Sequence, residues 1–241
     1  PDHRHACRPF AENCGFTIAE SAQMGVLFDD ELAIELGATG YGAATDVFVN
    51  ADGHKKSISG PGVGNYITMA KAVAAARAIV GEKALRTGGM VQAHGTGTPQ
   101  NRVSESEILS RTAQAFGIEQ WPVSALKCYL GHSLGSASGD QVTATLSAWQ
   151  HGILPGISTI DKLASDIATD NLAFSTAHRE FDEAEASYAV INSKGFGGNN
   201  ASATLLSPAT TSQMLKARYS DQEFKAWEKA NEEVREQQSA Y

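Results

Sequence analysis

The stretch that decides the fold is residues 88–99, which read Gly88-Gly89-Met90-Val91-Gln92-Ala93-His94-Gly95-Thr96-Gly97-Thr98-Pro99. Its first half is mostly apolar or small, which is typical of a short buried strand. Its second half is a turn rich in glycine and threonine. Residues 104–116 then have the apolar spacing of an amphipathic helix, and Gly117 predicts where that helix ends. A strand, a polar turn and a helix in succession form the repeating unit of an α/β protein.

The same alternation continues on both sides of this stretch. Upstream, the sequence predicts an extended segment, a short helix, a strand and an alanine-rich helix, at residues 15–28, 30–36, 39–50 and 65–80. Downstream, it predicts a strand, a helix rich in small residues, and two strands around a glycine loop, at residues 123–126, 134–150, 188–192 and 201–206. We therefore expect a layered α/β fold.

The last part of the chain is polar and begins at a boundary marked by Pro208. Ser220 and Glu223 have the spacing of a capping box, which predicts the start of a helix. Phe224 and Trp227 give this helix a sparse apolar stripe. Two interpretations remain: a helix docked on the body or on a partner subunit, or a solvated helix that is partly frayed.

Composition argues against several classes of protein. The chain has 241 residues, of which 42% are hydrophobic, so it is long enough to bury a core. Its net charge of −8 and the lack of a basic stripe argue against a nucleic-acid binder. No apolar run is long enough to predict a membrane span. Cys7, Cys14 and Cys128 have neither a disulfide framework nor zinc-site spacing, so we expect a reducing cytoplasm.

Three segments carry residues suited to chemistry, and each is ambiguous alone. They are residues 94–99, 124–135 and 192–201. A histidine such as His94 or His132 is more often a structural residue than a catalyst. The glycine cluster at 195–198 is most often a tight turn, although it also suits an oxyanion hole. The two histidines have no carboxylate or thiolate at ligand spacing, so we expect no metal.

Taken together, the three segments resemble those of β-ketoacyl synthases, which have the thiolase fold. The family pattern is His-Gly-Thr-Gly-Thr, then a lysine five residues before Gly-His, then Asn-Ser-Phe-Gly-Phe-Gly-Gly-Thr-Asn. Residues 7–10 and 15–27 also resemble the family's Arg-Pro-Phe and Gly-Phe-x-x-Gly-Glu-Gly-Ala segments. The resemblance therefore covers roughly residues 7–206, which is nearly all of the chain except the tail.

The resemblance implies a layered αβαβα fold of the thiolase type, of which this chain supplies the second half and the end of the first. Residues 1–36 would end the N-terminal thiolase-like half, residues 37–206 would form the C-terminal half, and residues 207–241 would be a helical tail. A narrower resemblance is to divergent bacterial synthases that start fatty-acid synthesis from acetyl-CoA. It rests on residues 19–22, 50–53, 64–68 and 194 and on the polar tail.

The resemblance also implies a role for each motif residue. His94 and His132 would donate hydrogen bonds to the enolate oxygen that forms when a malonyl thioester loses carbon dioxide, and Lys127 would support the second histidine electrostatically. Phe196 would gate the pocket and complete the oxyanion hole, unless it is a core aromatic at a loop. The expected substrate-binding residues are Thr96, Thr98, Gly195 and Gly197. No cofactor is expected, because acyl carrier protein or CoA supplies the phosphopantetheine.

The chain departs from the family pattern at several positions. Gln141 stands where the family has an acidic residue, so we expect this network to lack a carboxylate. Lys194 replaces the first phenylalanine of the glycine loop, and Arg102 replaces a frequent aspartate, although Glu105 fits the glutamate that follows. The Thr-Ala-Cys-type elbow that carries the nucleophile is absent, and we expect the three cysteines to be packing residues or exposed thiols.

Three functional hypotheses follow. The chain is part of an active ketosynthase in fatty-acid or polyketide synthesis, a non-catalytic partner subunit of such an enzyme, or a binding module for pantetheine thioesters. Retention of both histidines favours the first. Under that hypothesis the partners would be acyl carrier protein, a complementary N-terminal part of the same synthase, and a second copy in a homodimer.

Overall fold

The computed structural model describes residues 5–12, 15–53, 62–182 and 185–240. Within these ranges the α-helices are α1 Asp30–Glu35, α2 Val63–Thr87, α3 Pro99–Phe116, α4 Lys127–Leu130, α5 Ala137–His151, α6 Pro208–Arg218 and α7 Asp221–Ser239. The strands are β1 Ala43–Ala51, β2 Gly89–Gln92, β3 Trp121–Ser124, β4 Ile153–Leu154, β5 Leu172–Phe174, β6 Arg179–Glu180, β7 Tyr188–Gly195 and β8 Asn199–Leu206. This is the α/β alternation that the sequence predicts.

Six strands form one mixed sheet in the order β1-β8-β7-β2-β3-β5. Strands β7, β2, β3 and β5 are parallel to one another, whereas β8 runs antiparallel to both β7 and β1. The short strands β4 and β6 pair separately. All four residues of β2 are buried, as expected for a strand with helices on both faces of its sheet.

Helices cover both faces of this sheet. On one face α2 packs against β1, β7 and β8 and also contacts α3. The main core lies there and includes Met69, Ile108, Leu109, Val91 and Val190. Met90 and Ala189 alternate with Val91 and Val190 along their strands and therefore point to the other face, where they pack near Trp149 of α5. The three layers give the chain two separate apolar clusters.

The structure differs from the sequence-based predictions at three places. Helix α3 begins at Pro99 and not at residue 104, because proline is well suited to the first turn of a helix, where its missing N–H is not needed. Pro208 follows the end of β8 and begins α6, a helix that the sequence analysis did not separate from the rest of the tail. The two- and three-residue strands β4, β5 and β6 were not predicted, since such short segments have no detectable periodicity.

The C-terminal tail is helical and docks on the segment around α1. The capping box predicted at Ser220 and Glu223 is confirmed, with each side chain bonded to the main-chain N–H of the other residue. The Trp227 indole donates to the Ala38 carbonyl oxygen at 3.2 Å, and the Asn231 amide donates to the Gly37 carbonyl oxygen at 3.0 Å. Of the two interpretations of the tail, the docked helix is therefore correct.

The segment that precedes α1 exposes apolar side chains. Met24 is 99% exposed and Leu27 is 87% exposed, and Ile18, Val26 and Phe28 are also exposed. Several large apolar side chains are thus exposed within one short segment, whereas exposed apolar residues are ordinarily scattered singly over a protein surface. The exposed residues do not indicate a membrane span, since none of the helices in the described ranges is long and apolar enough to cross a bilayer.

We predict that Gly37→Ala releases the tail. Gly37 has a φ of 61°, and a Cβ there would lie 2.7 Å from the Cβ of Ala230 on α7. Gly53→Ala is the matched control, because Gly53 has a φ of 86° but nothing within 4 Å of its Cβ position. Both variants should lose about 1–2 kcal/mol of stability through backbone strain. The clash at Gly37 should cost about 1–3 kcal/mol more, and amide exchange should accelerate across α7 only in Gly37→Ala. Equal protection of α7 in both variants would contradict the docking.

Candidate active site

The parallel strands bring the three motifs to one edge of the sheet. His94 follows β2, Lys127 begins α4 just after β3, and Phe196 follows β7. Strands β7, β2 and β3 are adjacent and parallel. Their carboxyl ends therefore meet at one edge, where α/β proteins bind their ligands. His132 lies in the connection from α4 to α5 and faces the same edge.

The two histidines are in direct contact. Their ring centroids are 5.3 Å apart, and the rings are nearly perpendicular, at 82°. The Nδ1 atom of His94 accepts a hydrogen bond from the Lys194 main-chain N–H at 3.3 Å. The Nδ1 atom of His132 accepts from the Leu134 main-chain N–H at 3.2 Å. Because Nδ1 is an acceptor in each ring, the proton of the neutral imidazole must be on Nε2. The structure therefore presents two imidazoles in ring contact, each with its proton on Nε2.

The environment keeps both imidazoles neutral. Burial lowers the pKa of His94 well below its usual 6.5, and the nearby charge of Lys127 lowers it further. Burial and then Lys127 lower the pKa of His132 to about 4, and the opposing effect of Asp140 is smaller. At neutral pH each ring therefore has one N–H to donate and no net charge.

Lys127 supports the first histidine through its main chain. Its ammonium group is buried and donates to the carbonyl oxygen of His94 at 2.6 Å. Burial lowers the pKa of Lys127 to about 8, while Glu105, Cys7 and Asp140 act in the opposite direction. Sequence reasoning associated this lysine with the second histidine. In the structure it is bonded to the first histidine and influences the second through its charge.

Glu105 is a further organising residue of the site, which the sequence identified only as a match to a family glutamate. Its carboxylate is completely buried and accepts from the main-chain N–H groups of His94, at 2.6 Å, and Gly95, at 2.8 Å. The side-chain amides of Asn101 and Asn192 also donate to it, at 2.9 and 2.7 Å. The carboxylate thus fixes the turn that begins with His94.

An open cleft of about 640 Å³ adjoins the histidine pair. The expected substrate-binding residues Thr96, Thr98 and Gly195 line it, together with Phe16, Pro99, Gln100, Asn101, His132, Leu134, Gly135, Lys194 and Phe196. The hydroxyl groups of the two threonines are 3.2 Å apart. Gly197 lies in the 3₁₀ turn between β7 and β8. His94 is buried beside His132, so His132 is the histidine that faces the cleft.

Phe196 and Lys194 both line this cleft, but their side chains differ in exposure. Phe196 is 67% exposed, so the alternative that it is a core aromatic is wrong. Its carbonyl oxygen accepts from the Asn199 side chain at 2.8 Å, which holds the turn. Lys194 is only 8% exposed, and its ammonium group donates to the Ser104 hydroxyl at 2.8 Å. The cleft therefore combines an exposed aromatic ring with a buried cation.

The segment around residues 16–19 holds the His132 loop, which sequence reasoning did not predict. The His132 N–H donates to the Thr17 carbonyl oxygen at 2.6 Å, and the Ala19 N–H donates to the His132 carbonyl oxygen at 3.1 Å. The Phe16 ring lies 5.1 Å from the imidazole, between centroids. A Cβ at Gly131, whose φ is 78°, would lie 2.8 Å from the Thr17 oxygen, so this close approach requires glycine.

Comparison with known proteins identifies the family. Residues 41–161 match the family model of the β-ketoacyl synthase C-terminal domain. The chain belongs to the β-ketoacyl synthase family. It is 55% identical over 240 residues to the β-ketoacyl-[acyl-carrier-protein] synthase FabY of Pseudomonas aeruginosa, covering 100% of this chain and 38% of that protein. It is 31% identical to 3-oxoacyl-[acyl-carrier-protein] synthase 2 of Vibrio cholerae, covering 82% of this chain and 46% of that protein.

Solved structures of ketosynthases have the same fold. The chain superposes on the crystal structure of the Pseudomonas aeruginosa ketosynthase FabY with a TM-score of 0.95 and 55% identity, over 99% of this chain and 37% of that one. The predicted thiolase-type α/β fold is therefore confirmed. The chain spans less than half the length of these relatives.

Neither cysteine in the described part of the chain has the features of the family's nucleophile. Cys7 and Cys128 are buried, and burial raises the pKa of both thiols, that of Cys128 to about 12. A nucleophilic cysteine has a lowered pKa, because the thiolate is the reactive form. Cys14 lies outside the described residues. Among the residues described, no cluster of three or more His, Cys, Asp or Glu side chains has the arrangement of a metal site.

The departures from the family pattern have visible consequences. The Gln141 amide donates to three main-chain carbonyl oxygens, those of Gln92, Ala93 and Asn192, at 2.7–3.2 Å. The expectation that this network lacks a carboxylate is wrong, because Asp140 lies in the preceding position and influences the pKa values of both His132 and Lys127. Arg102 forms two hydrogen bonds of 2.8 Å with Asp166, at the surface.

We predict that His132 stays in the neutral Nε2–H form at pH 6, as measured by nitrogen NMR of the imidazole. The lowered native pKa also has a consequence for stability. The unfolded chain binds the proton first as the pH falls from about 6.5, so the free energy of unfolding should decrease between pH 6.5 and 4. His132→Gln should weaken that dependence. Protonation of His132 near its unperturbed pKa would contradict the assignment.

Proposed function

We propose that the chain is part of a β-ketoacyl synthase that condenses an acyl thioester with malonyl-acyl carrier protein in fatty-acid synthesis. The observation that carries the proposal is the pair of neutral imidazoles in ring contact, each with its proton on Nε2, of which His132 lines an open cleft. Relatives named as acyl-carrier-protein synthases support the substrate class. Retention of both donors favours an enzyme over a non-catalytic partner subunit or a binding module.

The chemistry follows from where charge develops. When malonyl thioester decarboxylates, the bond between the carboxyl carbon and the α-carbon breaks, and its electron pair moves towards the thioester oxygen. Two N–H donors directed at that oxygen stabilise the enolate. The donors belong to His94 and His132. Their hydrogen-bonded Nδ1 atoms keep the donors in place, so little reorganisation is needed during the reaction. The carbanion then attacks the acyl group carried by the nucleophilic cysteine of the complete enzyme.

In this proposal, each residue at the cleft has a role that follows from its position. Thr96 and Thr98 place two hydroxyl groups where the phosphopantetheine arm would pass. Phe196 gates the cleft as an exposed ring, and its main-chain N–H contributes to the oxyanion hole, with Gly195 and Gly197 allowing close approach of the substrate. The substrate brings its own phosphopantetheine on acyl carrier protein or CoA, so the proposal needs no further cofactor.

The complete enzyme requires a complementary N-terminal part that carries the nucleophile. In this proposal residues 1–36 end the first thiolase-like half, residues 37–206 form the second, and residues 207–241 are the tail. All strands of the described sheet lie within the second of these ranges. The apolar side chains exposed at Met24 and Leu27 supply the surface that the N-terminal part would cover. A homodimer of the complete unit in the cytoplasm is the assembly we infer.

We predict that His94→Ala or His132→Ala in the complete synthase abolishes carbon dioxide release from malonyl-acyl carrier protein. Each loss should be about 100- to 1,000-fold, or roughly 3–4 kcal/mol, as for the removal of one oxyanion-hole donor. Acylation of the nucleophilic cysteine should largely survive, because it does not use the imidazole pair. The double variant should lose little more than either single variant, since donors that act as a unit are not additive.

The measurement is release of labelled carbon dioxide alongside mass spectrometry of the acyl-enzyme. His151→Ala is the control, because His151 is exposed at the end of α5, away from the site. A single variant at position 94 or 132 that decarboxylates normally would remove that histidine from the mechanism.

We further predict that this chain associates with the complementary N-terminal part through Met24 and Leu27. Burying a large apolar side chain contributes about 1.5–3 kcal/mol, so Leu27→Ser should weaken the complex roughly tenfold or more. The same substitution should change the stability of the isolated chain by only about 0.5 kcal/mol, because the residue is exposed there. Sedimentation velocity of the mixed parts measures the complex. A folded, monodisperse monomer that ignores the N-terminal part would contradict the proposal.

A further inference from the structure

Asp140 is a buried carboxylate that connects three parts of the site. It lies in the first turn of α5 and is 8% exposed. The hydroxyl group of Ser133, the residue after His132, donates to one of its oxygens. The Ser21 hydroxyl donates to the same oxygen at 3.2 Å, and the Gln23 amide donates to the other oxygen. Residues 16–23 are therefore fastened to α5 and to the His132 loop by one side chain.

The hydrogen-bond partners of Gln141 explain why the carboxylate is at position 140 and not at position 141. The family's acidic residue corresponds to Gln141, whose Nε2 atom faces three main-chain carbonyl oxygens. An ionised glutamate there would have no proton to donate and would face three acceptors, which is unfavourable in a buried site. At the preceding helix position Asp140 points instead towards hydroxyl and amide donors. The donor Ser21 is itself a departure, because it replaces a glycine of the family's Gly-Glu-Gly-Ala segment.

The same segment already holds His132 through its main chain. The hydrogen bonds to Thr17 and Ala19 pair residues 17–19 with His132. Asp140 adds side-chain bonds to Ser21 and Gln23 and, through Ser133, to the residue that follows His132. His132 is thus held between a main-chain bridge and a side-chain clamp. The direction of its Nε2–H follows from the hydrogen bond that its Nδ1 atom accepts from the Leu134 N–H, and the bridge and the clamp hold the loop that makes this bond.

We propose that Asp140 is a positioning residue, which clamps residues 21–23 onto the His132 loop and thereby fixes the donor direction of His132. The proposal rests on the proposed function. It predicts energetic coupling between Asp140 and Gln23. Asp140 does not face the cleft, so its loss should change the turnover of decarboxylation and leave substrate binding nearly unchanged.

The test is a double-mutant cycle in the complete synthase. Asp140→Asn keeps the shape of the side chain but turns one acceptor into a donor that faces the Gln23 amide or a serine hydroxyl. Gln23→Glu places two carboxylates against each other. The combined variant exchanges amide and carboxylate across the same hydrogen bond, so the clamp can form again. The kcat and KM for carbon dioxide release from malonyl-acyl carrier protein are measured for all four proteins.

We expect each single variant to lose about 10- to 100-fold in kcat, as for a small misplacement of a catalytic group, with KM within about threefold of the unaltered enzyme. The combined variant should recover most of the loss. Asp161→Asn, which removes an exposed aspartate, should behave like the unaltered enzyme. Additive losses in the combined variant would show that the two positions are uncoupled and would overturn the proposal.

Nitrogen NMR of the His132 imidazole in this chain provides a readout that does not need activity. In Asp140→Asn the Nε2–H signal should broaden or shift, and Gln23→Glu should restore it in the combined variant. An unchanged signal together with unchanged kcat would overturn the proposal. If the unaltered synthase releases no carbon dioxide, the proposed function fails, while the NMR result still decides whether the clamp exists.

Asp140→Asn could also unfold the chain, so a milder variant is included. Ser21→Gly restores the family glycine and removes one hydrogen bond to the carboxylate, in a segment whose main chain stays paired. We expect a smaller loss, about threefold in kcat, because one hydrogen bond of the clamp is removed while those from Gln23 and Ser133 remain. Unchanged kcat and an unchanged His132 signal in Ser21→Gly would contradict the clamp.

Discussion

The buried carboxylate of Glu105 is the interaction on which the site depends. A fully buried charge is costly unless it is hydrogen-bonded on all sides, and this one accepts from two main-chain N–H groups and two asparagine amides. It therefore ties α3 to the turn after β2 and to Asn192 of β7. Asn192 in turn bonds Asn65 of α2 at 2.7 Å. One carboxylate thus links the helix layer to the strand ends that carry the histidines.

Burial also contributes to the protonation state of the two histidines. A site with an ionised lysine beside two imidazoles disfavours a further positive charge, and burial disfavours it more strongly. The imidazoles therefore remain neutral, and each retains one N–H donor. Glu105 fixes the geometry of the turn and raises the pKa of Lys127, whereas burial and Lys127 lower the pKa values of the two imidazoles.

The sequence predicted the alternation of strands and helices and the residues of the site. It predicted less well the hydrogen bonds that join those residues. The long elements have clear periodicity, and the three motifs follow strands that are adjacent in the sheet, so their convergence could be anticipated. The contacts of residues 16–19 with His132 could not be, because main-chain pairing across 115 residues has no local sequence signal. The sequence alone indicates that Gln141 leaves this network without a carboxylate. Position 140 is one helical step away, and only the direction of each side chain shows which of the two faces the histidine loop.

The dependence of His132 on an upstream segment has a consequence for how the family's two halves work together. Residues 16–29 expose Met24 and Leu27 on one side and hold the His132 loop on the other through Thr17 and Ala19. Whatever covers the apolar side therefore restrains the same segment that positions a proposed enolate donor. In an isolated chain, the donor pair would be held by a segment with one face unsupported. Association would then contribute the nucleophile and would also restrain the segment that holds the His132 loop.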